Sequence, residues 1–161
     1  MSERRVVVTG LGLIAPVGLD VASGWENIVA GKSGIQPITH FEIAPFSVRF
    51  GGPIYGFDVE QYIPKKEARK MDAFIHYGIA AGAQALKDSG IEITDQNSKR
   101  IGVAIGSGIG GVTGIENGYG AYLSGGPRKI SPFFVPANII NMVAGNLSIM
   151  YGLKGPNISI V

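Results

Sequence analysis

The chain has 161 residues, a formal net charge of +2 at pH 7 and no cysteine, so disulfides, cysteine-ligated metals and a thiol nucleophile are excluded from it. Hydrophobic residues make up 45% of the sequence and charged residues 16%, against about 25% charged in a typical domain, and this balance excludes intrinsic disorder. Because charged residues are too few to cover the surface of a compact monomer, we expect an oligomer, a larger protein or both. The small net charge argues against a nucleic-acid partner.

The N-terminus passes from charged residues directly into a β-branched run at residues 4–9, which Gly10 and Gly12 close. Such a run predicts a strand that is buried on both faces of a sheet. The start has neither the longer apolar core nor the small-residue cleavage site of a signal peptide. No apolar run approaches the ~18 residues of a membrane span. We therefore expect a cytoplasmic protein that does not enter the membrane.

Asp20 is a suitable N-cap for the first predicted helix, which covers residues 21–30. Trp25, Ile28 and Val29 have the spacing of core residues on this helix, and Gly31 ends it.

The next segment, residues 36–62, is rich in proline, glycine and aromatic residues and predicts loops with a short extended piece at residues 47–54. The longest helix is predicted over residues 64–89, since proline suits a first turn. Gly78 and Gly82 lie four residues apart on it and would admit another backbone closely.

The second half of the chain continues the alternation of strands and helices. A strand at residues 100–105 is followed by a weaker helix at residues 111–123 and a strong helix at residues 136–150. A last strand runs from Asn157 to Val161. Three strands separated by helices predict an α/β fold with a mixed, mainly parallel sheet and covering helices. This set of predicted strands and helices resembles the first part of a larger fold.

Two glycine motifs, at residues 10–15 and 106–111, match the letters of the dinucleotide-binding fingerprint. Pro16 and Gly18 interrupt any helix after the first motif, and neither motif is followed by a strand that ends in an acidic residue. A nucleotide-binding α/β module stays an alternative hypothesis. His40 and His76 are widely separated in sequence, so they support no zinc site.

Two basic patches stand out in a chain that is otherwise poor in charge. Lys66, Arg69 and Lys70 lie near the start of the predicted long helix, where the helix dipole disfavours cations. Arg128 and Lys129 form a second patch in a loop. The patches predict either a solvated charged face or a surface for an acidic partner.

Two apolar positions could serve a ligand rather than a core. Phe134 and its neighbour Phe133 lie among turn-forming residues, which places their rings in the core, at an interface or along an apolar tunnel. Ile109 lies in a glycine-rich turn, where an apolar side chain could gate a pocket or simply pack.

Four segments taken together resemble the bacterial β-ketoacyl-[acyl-carrier-protein] synthase II family of the thiolase superfamily. The resemblance extends from the first strand to the last residue. The segments are VVVTGLG at 6–12 with PVG at 16–18, RKMDAF at 69–74, IGSGIGG at 105–111 and GPRKISPFFVP at 126–136.

The resemblance implies a thiolase-like fold of α-β-α-β-α layers, of which residues 1–161 would form an incomplete N-terminal half that ends just before the family's nucleophile. It also implies a decarboxylating Claisen condensation in fatty acid biosynthesis. That reaction uses an acyl-thioester cysteine and two histidines, and this chain has no cysteine, while neither His40 nor His76 matches the family's histidines. We therefore expect the chain alone to be inactive.

The supporting roles that the resemblance implies can be assigned residue by residue. Ile109 would gate the acyl pocket, and Phe134 would enter that pocket across a homodimer joined through the strand from Asn157 to Val161. Substrates would arrive on the phosphopantetheine of acyl carrier protein, with no resident cofactor or metal. The residues that would dock this acidic carrier protein are Lys66, Arg69, Lys70, Arg128 and Lys129. A non-catalytic carrier-binding protein, visible in cells as a species near 16.9 kDa, stays a further alternative.

Overall fold

Six α-helices and four short strands follow one another along residues 4–161, the part of the chain that the computed structural model describes. Short 3-10 turns at Val59–Gln61, Ser98–Arg100 and Pro127–Lys129 join some of them. The helices are α1 (Val21–Val29), α2 (Lys65–Ala68), α3 (Ala73–Ser89), α4 (Val112–Gly125), α5 (Phe134–Asn138) and α6 (Met142–Tyr151). The strands are β1 (Gln36–Pro37), β2 (Phe50–Gly51), β3 (Val103–Gly106) and β4 (Asn157–Ile160).

The strand predicted at residues 4–9 is wrong for this structure. These residues belong to no sheet within residues 4–161, and Val6 is 90% exposed rather than buried. The chain contacts α3 just after these residues, where the Leu11 N–H donates to the Asp88 carboxylate near the end of α3, at 2.8 Å. Gly12 packs so closely on α3 that a Cβ there would overlap the α3 main chain.

Helix α1 confirms the prediction of its bounds and its cap. The Asp20 carboxylate accepts from the Ser23 N–H at 2.7 Å, and this backbone hydrogen bond lowers the pKa of Asp20. Gly31 follows the helix with φ of +66°, a left-handed conformation that glycine adopts without strain. The predicted core face is wrong within the described residues, because Trp25 is 66% exposed and Ile28 and Val29 are exposed as well.

The long helix predicted over residues 64–89 is two helices, α2 and α3, with a turn at residues 69–72. Asp72 causes the restart, since its backbone is extended and its side chain accepts from the Phe74 N–H as the N-cap of α3. Lys66 therefore lies in the short helix α2, and Arg69 and Lys70 lie in the turn before α3, so the predicted place of the patch at the start of one long helix is wrong. The N-terminus of α3 is capped by a carboxylate.

The helix predicted over residues 136–150 is also divided, into α5 and α6, because Ile139 has the extended backbone of a helix end. The helix predicted over residues 111–123 is confirmed as α4.

The core lies where α3 packs against α6. Gly78 faces the buried Val143 and Gly82 faces the buried Leu147, so α6 does pack closely at these glycines, but its side chains and not its backbone, as predicted, fill the space. The remaining fully buried large side chains around this contact are Ile63, Ile75 and Ile79. This contact fixes α3 and α6 in place under the parallel strands.

Strands β3 and β4 pair in parallel, with Val103 opposite Asn157 and Gly106 opposite Ile160, which confirms the last two predicted strands as one parallel pair. Strands β1 and β2 form a separate antiparallel pair, and β2 lies within the predicted extended piece. No helix in the described part of the chain is long and apolar enough to cross a membrane.

Candidate functional site

A cleft of about 410 Å³ lies between three segments of the fold. One wall is the turn between α2 and α3, the second is α4, and the third runs from the loop before α5 to the end of α5. The turn between α2 and α3 lines this cleft, and α5, which also lines it, ends before the turn that leads to α6.

The cleft brings the two basic patches together. Arg69 and Lys70 line it from the α2–α3 turn, and Lys129 lines it from the opposite wall. Arg69 and Lys129 are exposed and form no salt bridge within residues 4–161. Lys66 and Arg128 are exposed on the adjoining surface and do not line the cleft.

Lys70 differs from the other cations because it already has partners. Its Nζ lies 2.8 Å from a carboxylate oxygen of Glu67 and 5.4 Å from the centre of the Phe133 ring. The first contact is a hydrogen-bonded ion pair, and the second has the geometry of a cation–π interaction.

The two apolar candidates lie in different places. Phe134 is half-buried at the start of α5, lines the cleft, and packs so closely on α4 that a Cβ at Gly118 would overlap its ring. Ile109 is 71% exposed in the loop between β3 and α4 and does not line the cleft. Gly110 beside it has φ of +93°, so this loop conformation requires glycine there.

Asp72 and Asn138 lie at the base of the cleft, and the sequence analysis missed both. One Asp72 oxygen caps α3, and the other accepts from the Gly114 N–H in the first turn of α4 at 2.7 Å. Asn138 is 6% exposed, and its Oδ1 has no hydrogen-bond partner among the described residues. A signal for Asp72 existed, because Asp is a strong N-cap residue and it directly precedes an apolar helical run.

Within residues 4–161, the start of α4 is the one place where a glycine motif runs from a strand into a helix. A phosphate at this helix start would need open N–H groups and no competing negative charge. The Asp72 carboxylate already occupies the Gly114 N–H, and a Cβ at Gly111 would overlap Asn138 Oδ1. The structure therefore disfavours the nucleotide-binding alternative.

The remaining candidates lie outside the cleft. A ring nitrogen of His76 contacts the Ala68 carbonyl at 2.9 Å, and His40 packs edge-on against Phe41. Strand β4 pairs with β3 on one side, and no strand of residues 4–161 pairs with its other side. No group of three or more His, Cys, Asp and Glu residues in the described part of the chain could hold a metal ion.

Comparison with protein families finds a match over residues 3–161 to the family model "Beta-ketoacyl synthase, N-terminal domain". The chain is 63% identical over 160 residues to the 3-oxoacyl-[acyl-carrier-protein] synthase 2 of Vibrio cholerae serotype O1, covering 99% of the chain and 39% of that relative. It is 50% identical over 161 residues to the synthase of the same name from Coxiella burnetii, covering 100% of the chain and 39% of the relative. The chain thus spans about two fifths of the length of these relatives.

Two solved structures share the architecture. One is a ketosynthase in complex with its type II PKS acyl-carrier protein, with a TM-score of 0.77 and 30% identity over 94% of this chain and 40% of that one. The other is a β-ketoacyl synthase from Burkholderia phymatum, with a TM-score of 0.74 and 25% identity over 98% of this chain and 39% of that one. The thiolase-like fold expected from the sequence is thereby confirmed.

Proposed function

Since the chain belongs to the β-ketoacyl synthase family, we propose that the protein carrying it is a condensing enzyme of fatty acid biosynthesis. The reaction joins an enzyme-bound acyl thioester to malonyl-acyl carrier protein. Loss of CO₂ leaves a carbanion equivalent that attacks the acyl carbonyl, the thiolate leaves, and 3-oxoacyl-acyl carrier protein forms. The observation that carries the proposal is the 63% identity to a named synthase over nearly the whole chain.

The chain's own part in this reaction is to support it rather than to supply the nucleophile. An acyl-enzyme thioester needs a thiol, and these 161 residues contain none. We assign the chain three roles, which are docking of the carrier protein, one wall of the acyl pocket and part of the dimer surface.

The docking role rests on the charges around the cleft. Arg69 and Lys129 are exposed where they line the cleft, Lys66 and Arg128 are exposed beside them in sequence, and complementary charge speeds and orients association with an acidic partner. Lys70 contributes less to the field outside, because Glu67 already neutralises it. A solved relative that binds an acyl-carrier protein supports the same partner here.

The pocket and dimer roles rest on the exposed Ile109, on Phe134, which is half-buried and lines the cleft, and on exposed residues of β4. Ile109 would gate the acyl chain, and Phe134 would reach the pocket of a second copy. Ile158 and Ile160 are exposed on β4, the strand we propose as the dimer edge. An exposed strand edge is an aggregation hazard unless it is paired, and antiparallel pairing with a second copy would remove it. We further propose a cytoplasmic enzyme with no resident cofactor, whose substrates are carried on phosphopantetheine.

The test compares the full-length protein with the 161-residue chain alone. Each is incubated with acyl and malonyl carrier proteins, and the carrier-bound products are measured by mass spectrometry. We expect 3-oxoacyl product from the full-length protein and none from the chain. Product from the chain alone would refute the assignment of roles, and absence of product from the full-length protein would refute the proposed reaction.

A further inference from the structure

We propose that Asp72 is a positioning residue whose carboxylate holds the first turn of α4, and through it the loop that carries Ile109, against the segment that carries Arg69 and Lys70. The inference rests on the proposed function. It deepens that function by connecting the carrier-facing turn to the side chain that selects the acyl chain.

The two oxygens of Asp72 serve two different helices. Oδ2 accepts from the Gly114 N–H in α4 at 2.7 Å, and Oδ1 accepts from the Phe74 N–H in α3 at 3.4 Å. Both helices point their positive N-terminal ends toward this carboxylate, and hydrogen bonds to a charged acceptor are stronger than neutral ones. One side chain therefore joins the starts of α3 and α4.

A third segment closes the same junction. The Asp72 N–H donates to the Ala137 carbonyl at 3.2 Å, and the Gly111 N–H donates to the Asn138 carbonyl at 2.9 Å. A Cβ at Gly111 or Gly114 would overlap Asn138 Oδ1. The first turn of α4 is thus enclosed by α5 on one side and bonded to Asp72 on the other.

The loop before α4 depends on this anchor. Ile109 lies two residues before Gly111 and is 71% exposed, so its own packing does little to hold it. Gly108 and Gly110 flank it, and glycine gives the backbone more freedom than any other residue. The loop is held at its two ends, where the Ser107 N–H donates to the Ile160 carbonyl at 3.0 Å and the Gly111 N–H donates to the Asn138 carbonyl at 2.9 Å, so a shift of the first turn of α4 moves one of these two ends.

Two variants separate this role from simple helix capping. Asp72→Ser keeps an N-cap oxygen for α3, but its shorter side chain loses the Gly114 bond. Asp72→Asn keeps the size, but it has one acceptor oxygen and can serve only one of the two helices. Asp20→Ser is the matched control, because it makes the same change at the N-cap of α1, where the carboxylate bonds to Ser23 of its own helix.

The first measurement is hydrogen exchange of peptides covering residues 109–114 in the full-length protein. We expect about tenfold faster exchange in Asp72→Ser, because a charge-assisted bond is lost. Asp72→Asn should show a smaller increase, and Asp20→Ser none. Unchanged exchange in Asp72→Ser, or the same increase in Asp20→Ser, would overturn the inference.

The second measurement is the ratio of kcat/KM for short and long acyl chains. We expect Asp72→Ser to reduce that ratio about threefold or more. This is less than the roughly tenfold or larger discrimination between substrates that direct contacts in a hydrophobic pocket supply. A merely structural role would lower the Tm of both serine variants and leave the ratio unchanged, and an unchanged ratio would overturn the inference. If the wild-type protein forms no condensation product, the proposed function fails, and the exchange measurement still decides whether Asp72 anchors the loop.

Discussion

Reversing the charge of Arg69 should weaken binding of acyl carrier protein by the full-length enzyme. Arg69 is exposed at the cleft and forms no salt bridge within the described residues, so its charge is available to a partner. An exposed ion pair contributes about 0.2–1 kcal/mol. Replacement by Glu removes that attraction and adds a similar repulsion, which gives about 1 kcal/mol, or a roughly fivefold higher Kd at low salt.

The matched control is Lys99→Glu, which makes the same change in charge at a different end of the fold. Lys99 is exposed on the 3-10 turn before β3, whereas the loop that leads to the cleft follows β3. The Kd for the carrier protein is measured by fluorescence anisotropy at several salt concentrations. The effect of Arg69→Glu should nearly vanish at 1 M salt, where the Debye length is about 3 Å. An unchanged Kd at low salt, or an equal loss in Lys99→Glu, would refute the docking role.

Two further changes test the gate and the core. Ile109→Phe should narrow the range of long acyl chains that the full-length enzyme accepts, measured as kcat/KM against chain length, and an unaltered preference would count against a gate. Gly78→Ala should lower the free energy of unfolding by about 1–2 kcal/mol, because its Cβ overlaps the stiff Val143 side chain and the gain in helix propensity offsets only part of the strain. In Gly120→Ala the added Cβ, which lies in α4, meets open space, and this change should instead stabilise the protein by about 0.5–1 kcal/mol. The midpoints of chemical denaturation of the two variants should therefore shift in opposite directions from that of the wild type.

The parts of the fold that the sequence predicted well are those set by nearby residues. Helix α1 is an example, since Asp20 bonds to Ser23 three positions later and Gly31 ends the helix locally. The parallel pair β3 and β4 was also predicted, because each strand is a short apolar run next to turn-forming residues.

The parts that failed depend on distant partners. Residues 4–9 have strand composition, but a strand needs a neighbour to pair with, and residues 4–9 pair with no strand among residues 4–161. The bond from the Gly114 N–H to Asp72 joins residues 42 positions apart in sequence, whereas the N-cap bond of Asp72 to Phe74 is local and could have been predicted. For the site, the basic residues and Phe134 were found from composition and motifs, whereas the junction of Asp72 and Asn138 requires the tertiary fold.

The ion pair between Lys70 and Glu67 distinguishes Lys70 from the other basic residues around the cleft. Lys70 is held between Glu67 and Phe133, so its ammonium group has little freedom to follow an incoming molecule. Lys66 and Lys129 are exposed, and the flexible four-carbon stem of a lysine lets its ammonium group reach a carboxylate from several rotamers. A partner would therefore meet one ammonium group of defined position and others whose positions it can itself select.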